Sequence, residues 1–194
     1  MIHTMIPTDE QLNDFEFIKN NIDEIDWKYI SQSKNLSESF IRKFKDKLDL
    51  YFLSQYQTLS EEFIKEFNLK ISDDNWMYKS NEFKLDYIKN NTNYKVIDDQ
   101  YILAYKSTLK NGQSVYKPNF YQYKVGKSYE SHCDCNSNID NSFGLSAWTK
   151  EGALGYHSSG DLYLVKINIE DIGCITKLGN KIRAKKITIV EKIK

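Results

Sequence analysis

The densest run of ligand-type side chains in this chain is His132-Cys133-Asp134-Cys135, with His157 and Cys174 available elsewhere to complete a set of four. Thiolates and imidazoles are donors that zinc prefers. A single Cys-x-Cys with no second pair at matching spacing does not define such a site. Neighbouring His132 and Cys133 also point in different directions in an extended chain. The spacing therefore predicts a partly buried loop, with no metal assigned and His132, Cys133 and Cys135 as weak candidate ligands. The same residues suggest a second chemistry, a Cys133 or Cys135 thiol activated by His132 or His157. That needs a depressed thiol pKa and a base within reach. No catalytic residue is assigned, and the pattern leans away from an enzyme.

A third set is basic. Lys177, Lys181, Arg183, Lys185 and Lys186 alternate with Ile182, Ile187 and Ile189. In a strand this spacing sends part of the set to one face, where Arg183 and its neighbours can hold phosphates. The alternative is an edge strand whose lysines discourage intermolecular pairing. Tyr121 and Tyr123 offer ring faces on which a base can stack, although tyrosines in strands are commonly packing residues.

These groups must be positioned by a folded chain, and the composition supplies one. Aromatic residues make up 14% of the 194 residues, enough apolar area to offset chain entropy. The formal charge is zero but unevenly spread. Residues 1–75 hold 9 basic and 15 acidic side chains, a net of −6, and residues 76–194 hold 18 and 12, a net of +6. Opposed charges suit docking of the two parts on each other, or an anionic ligand, nucleotide or nucleic acid, on the second. Solvated lysine is the plain alternative. Three unevenly spaced cysteines do not make a disulfide framework, and no leader is read before Thr8-Asp9-Glu10, so a cytoplasmic setting is expected. No apolar run approaches the roughly 18–20 residues of a membrane span.

The acidic part is repetitive. Asp26-Trp27-Lys28-Tyr29-Ile30-Ser31, followed by Leu36-Ser37-Glu38-Ser39-Phe40-Ile41 and Phe44, recurs 23 positions later as Asp49 to Ser54, Leu59 to Ile64 and Phe67. Ser37 and Ser60, each followed by Glu and then by apolar residues at helical spacing, are N-cap signatures. Each repeat, 26–48 and 49–71, is expected to be two short helices that bury their apolar faces by stacking. Phe17 and Ile18 look like a worn earlier copy, and Ile71 to Trp76 like a trailing one. A helical packing appendage or a protein-binding surface would both follow from such a stack.

Beyond residue 76 the pattern becomes mixed. A helix is expected over 84–89, a loop at Asn90 to Asn93, strands at Tyr101 to Tyr105 and Phe120 to Val125, and a turn at Asn111-Gly112. A loop at Ser131 to Ser142 precedes a return to the core at Phe143 to Trp148. Thr149 caps a helix from Lys150 to His157, and strands follow at Leu162 to Ile169 and Lys185 to Val190, with a turn near Asn180. The fold class is α+β: N-terminal helical repeats over 1–75, then a mixed α+β domain over 76–194.

The repeat pattern Trp-x-x-Ile-Ser with Leu-Ser-Glu-x-Phe-Ile resembles repeats of uncharacterised proteins of giant viruses and tailed phages. The second part resembles a domain of the same phage proteins at Ala104-Tyr105-Lys106, Tyr123-Lys124-Val125-Gly126, Gly144-Leu145-Ser146-Ala147-Trp148, Ala153 and Lys181-Ile182-Arg183-Ala184. The resemblance implies a viral accessory protein, in the host cytoplasm, that inhibits or sequesters a host factor such as a component of antiviral defence.

The order of Tyr105-Lys106-Ser107-Thr108, Gly144 to Thr149, the helix with Ala153 and the strand 162–167 also resembles small ADP-ribosyltransferases of the rifampin-modifying type. That similarity implies a split-sheet fold and a cleft for NAD or another nucleotide. Tyr105 and Lys106 would face the ligand from the first strand, and Ser146 and Trp148 from the second. The expected His after the first strand is missing. No acidic pair aligns in a late strand, with Glu191 and Asp171 the nearest carboxylates.

Overall fold

A computed structural model describes residues 4–116 and 118–194. The chain divides into two compact units, Met1–Ser72 and Asp73–Lys194.

In the first unit six short helices follow one another: α1 (Asp9–Asn13), α2 (Phe15–Asn20), α3 (Trp27–Ser33), α4 (Glu38–Lys43), α5 (Leu50–Tyr56) and α6 (Glu61–Glu66). Helices this short are unstable alone, so each is started by a side chain that satisfies an orphan N–H. Thr8 and Gln11 form a reciprocal capping box on α1, and Asp14, Asp26, Ser37, Asp49 and Ser60 cap the other five. The caps of α2, α4 and α6 stand 23 residues apart, so the worn copy around Phe17 and Ile18 keeps the second helix of the unit, whereas the cap of α1, Thr8, stands 18 residues before that of α3. The expected trailing copy at 71–76 is not a helix pair. Residues 71–75 form a turn and an isolated bridge, and a single 3-10 turn, Trp76–Tyr78, follows in the second unit.

Ile18, Ile30, Ile41, Leu53 and Phe63 are fully buried and form the centre of the stack. Successive repeats are tied by polar groups at repeat distance. The buried amide of Gln57 donates to the carbonyls of Ser31 (2.9 Å) and Lys34 (2.7 Å) and accepts from the N–H of Leu36 (3.0 Å). The N–H of Ser60 donates to the Glu38 carboxylate at 2.6 Å. Ion pairs Lys34–Asp9, Arg42–Glu66 and Lys47–Asp23 repeat the same stagger on the surface, where each contributes little.

The second unit opens with α7 (Asn81–Asn91), capped by Ser80 and longer at both ends than the sequence pattern predicts, so Asn90 and Asn91 are helical. The strands are β1 (Lys95–Ile97), β2 (Tyr101–Thr108), β3 (Ser128–Glu130), β4 (Leu145–Trp148), β5 (Asp161–Asn168), β6 (Ile172–Ile175), β7 (Lys181–Ala184) and β8 (Lys186–Lys192). Helix α8 (Lys150–Tyr156), capped by Thr149, lies between β4 and β5. All pairings are antiparallel, in the order β3-β8-β5-β2-β4-β7-β6, with β1 added to β2. The α+β class is therefore observed. One face of the sheet carries the main core, including Ile102, Ala104, Ala147, Val165, Ile167, Ile182, Ile187 and Ile189.

Three expectations are corrected. Phe120 to Val125 is not a strand: only Gln122 makes an isolated bridge, to Gln113, because the segment belongs to a long loop that turns at Gly112 and Gly126. The C-terminal basic strands are not edges, since β7 lies between β4 and β6 and β8 between β3 and β5. The loop 131–142 has no regular structure, yet its centre is core: Cys133, Asp134 and Cys135 are at most 1% exposed. Among the described residues no helix is long and apolar enough to cross a membrane.

Candidate functional site

Strand β2 pairs with β5 along all eight of its residues but meets β4 at one pair only, Tyr105 opposite Trp148. Beyond that pair the two strands diverge, and the β4-facing edge of β2 over 106–108 has no ladder partner. A diverging strand leaves main-chain groups that need other partners. Lys106 supplies one. Its ammonium donates to the carbonyl of Ser146 at 2.7 Å, with the residue only 6% exposed.

The amine sits between two aromatic rings, 4.7 Å from the centroid of Tyr123 and 5.7 Å from that of Trp148. Burial, then the neighbouring charge of Lys181, pushes its pKa down to about 7. No carboxylate among the described residues pairs with it. Lys181 is better compensated: it donates to the Asp140 carbonyl at 2.6 Å and has the Asp140 carboxylate at 3.7 Å, although burial still lowers its pKa. Tyr123, from the loop between β2 and β3, is 3% exposed. Its phenol is raised first by burial and then by Tyr121 and Tyr129.

Cross-strand register places a second set on the other face of β2. Glu191 lies opposite Leu164, Leu164 opposite Tyr105, Tyr105 opposite Trp148 and Trp148 opposite Lys181. Directly opposed residues share a face, so these five form one row across the sheet. Trp148 stacks on Tyr156 of α8, with centroids 4.6 Å apart and planes 18° from parallel. The Ser107 hydroxyl anchors α8 by donating to the carbonyl of Ala153, which fixes the helix over this row. Glu191, at the end of the row, is exposed. No family model, curated protein or solved structure matches this chain. The site is therefore read from its own geometry.

Of the five residues expected to bind a ligand, Lys106, the Ser146 main-chain carbonyl and Trp148 meet at the split, while Tyr105 is paired with Trp148 and points to the face opposite Lys106. Arg183 lies opposite Ser146 in register but is wholly buried. Its guanidinium donates to the carbonyls of Ile139 (2.6 Å) and Asn136 and to the Cys174 sulfur (3.2 Å), with the Asp134 carboxylate 4.0 Å away. It organises the 136–139 loop from beneath.

The thiols are equally internal. A Cβ on Gly173 would lie 2.3 Å from the Cys133 sulfur and 3.4 Å from that of Cys135, so only glycine admits both. A hydrogen bond shared with Cys135, together with burial, holds the Cys133 thiol up, the same bond lowers the Cys135 thiol, and burial raises Cys174 to about 11. All three thiols are at most 1% exposed, and a thiol closed off from solvent is a poor nucleophile whichever way it is shifted. His132 stacks on Phe143 (5.3 Å), and His157 faces the Ser159 hydroxyl at 3.3 Å. Among the described residues no three His, Cys, Asp or Glu side chains converge as a metal-binding group. Asp171 accepts from the Asn168 amide at 3.0 Å, outside the Lys106 cluster, and its carboxyl is raised by burial.

The sequence offers Tyr123 as a ring on which a base can stack, but on a strand; its place beside Lys106 comes from the loop between β2 and β3. Lys181 was visible as part of the basic run, but its closeness to Trp148 depends on β7 returning beside β4.

Proposed function

We propose that this protein is a viral, phage-like accessory protein that acts by binding, and that the split between β2 and β4 takes an anionic ligand of the nucleotide class. The observation that carries the reading is Lys106. A buried ammonium with a carbonyl and two rings for company is costly, and a phosphate group would supply the missing counter-charge. Tyr123 and Trp148 add faces for a base or nicotinamide ring. The Glu191–Leu164–Tyr105–Trp148 row supports the finer reading of an ADP-ribosyltransferase-like domain with NAD as ligand. Glu191 stands two strands, roughly 10 Å, from Tyr105, where a carboxylate can face the charge that develops as nicotinamide departs.

Thermal unfolding with NAD, ADP-ribose and cyclic nucleotides tests the reading. A ligand at about 100 times its Kd stabilises the folded state by roughly 2.7 kcal/mol. The melting temperature should rise for the parent chain and stay unchanged in Lys106→Met. No shift with any of these compounds sinks the proposal.

A second reading, capture of a host protein by the repeat unit, is favoured by Tyr29 (37% exposed), Leu50 (42%) and Tyr51 (66%) on the neighbouring helices α3 and α5. Exposed aromatic groups on a rigid stack are typical anchors. Tyr29→Ala with Tyr51→Ala should abolish capture from host lysate; undiminished capture rules this surface out.

A further inference from the structure

The two arms of the β2–β3 loop, residues 109–116 and 118–127, play no part in the split except through Tyr123. Their base is held like a hairpin. Leu109 N–H donates to Gln113 O (2.9 Å), Tyr123 N–H to Gly112 O (2.8 Å) and Ser114 N–H to Tyr121 O (3.1 Å). Gly112 is required there, with φ +78° and the Tyr123 carbonyl 2.7 Å from where a Cβ would stand.

Above this fixed base Tyr116 is 74% exposed and Phe120 70% exposed, more than any other described aromatic residue. Two large rings mostly in water on one well-anchored loop form an exposed apolar patch of the kind that marks interaction sites. Phe120 is also the open end of an aromatic ladder: Phe120 to Tyr121 is 5.2 Å, Tyr121 to Tyr123 5.6 Å, and Tyr123 to Tyr129 4.8 Å between centroids. The ladder runs from solvent into the core and holds its outermost ring in place.

Along the loop the charge has one sign, and the first carboxylate after it, Glu130, is paired with Lys186. From residue 100 to residue 129 the sequence has five lysines and no Asp or Glu. Lys110, Lys124 and Lys127 are exposed on the loop. Exposed rings flanked by lysines that have no carboxylate partner among the described residues match a polyanion that presents free π faces. Single-stranded nucleic acid does so, whereas duplex bases are stacked away. A lipid surface fits less well: the tip has Pro118 and Asn119 between its rings and lacks the Trp and Leu anchors of interfacial segments.

We propose that this loop is a docking surface for single-stranded nucleic acid, with Tyr116 and Phe120 stacking on bases and Lys110, Lys124 and Lys127 contacting phosphates. Fluorescence anisotropy of the full chain with labelled 15-nucleotide oligo-U and oligo-dT tests it, with a duplex of the same length and vesicles of phosphatidylcholine with phosphatidylserine as comparison arms. Single strands should bind more tightly than the duplex. Three phosphate contacts predict binding about 20-fold weaker at 200 mM than at 50 mM salt. Phe120→Ala and Tyr116→Ala should each cost about fivefold or more, and Lys124→Glu with Lys127→Glu should flatten the salt dependence. These four positions are exposed, so an unchanged melting temperature shows that the variants are folded. Four outcomes overturn the proposal: no oligonucleotide binding at 50 mM salt, equal affinity for duplex, affinity indifferent to loss of both rings, or binding confined to vesicles.

Discussion

The Lys106 ammonium and the Ser146 carbonyl, 2.7 Å apart, join two neighbouring strands where their ladder has stopped. A charged side chain takes the place of main-chain hydrogen bonding. The split thus holds a cation in the protein interior, and its cost should be measurable.

That cost depends on pH. The folded chain holds the Lys106 amine at about 7, below the roughly 10.4 of a free lysine. Between these values the unfolded chain binds more protons, so this group's contribution makes stability rise as pH climbs from 7 toward 10. The full penalty is present below 7. Lys106→Met should be more stable than the parent by ~1–3 kcal/mol at pH 6.5, after allowing for the stranded Ser146 carbonyl. The difference should shrink toward pH 10. Urea unfolding of both proteins across this range checks the slope.

Arg183 and Asp134 are both fully buried, and Asp134 Oδ2 and Arg183 Nε have no hydrogen-bond partner. Removing one partner of a buried ion pair strands the other. Arg183→Met should cost about 3–5 kcal/mol, and adding Asp134→Asn should recover part of the loss. A double-mutant cycle by chemical denaturation gives the coupling.

Two glycines near the split should respond in opposite directions. A Cβ on Gly160 would lie 1.7 Å from the main-chain carbonyl of Thr108, at the end of the strand that carries Lys106, whereas one on Gly155, inside α8, meets nothing within 4 Å. Gly160→Ala should lower stability by ~2 kcal/mol or more through forced backbone displacement. Gly155→Ala should raise it by ~0.5–1 kcal/mol through helix propensity. Thermal unfolding of the two variants makes the comparison.

Within the repeats, Gln57 is 1% exposed and bridges three main-chain groups of the preceding repeat. Gln57→Leu leaves those groups unpaired in the interior and should cost about 2–4 kcal/mol. Hydrogen exchange at the Leu36 amide should accelerate in that variant, which separates loss of this bridge from a general loosening.

The repeats were legible because their determinants are local. A cap three residues before an apolar pair is a contact within one turn, so Ser37, Ser60 and the 23-residue offset already imply the helices. The same holds for Thr149 and α8. The continuous apolar runs of β2 and β5 were equally clear. Short strands β1, β3, β6 and β7 were not, because three or four residues carry too little periodicity to distinguish them from loops.

Which residues would form a site was a different matter. Sequence alone determined the two-part charge division, the helical repeats and the α+β class, and it grouped Tyr105, Lys106, Ser146 and Trp148 only through a resemblance. Only the tertiary structure decided that β2 and β4 separate after one pair, that Lys106 fills the opening, and that Arg183 serves the interior. Strand order joins segments far apart in the chain, and burial depends on what covers them, so neither is encoded in local spacing. Lysine and arginine in alternating positions look the same in sequence; their neighbours across the sheet make one a candidate ligand group and the other a structural brace.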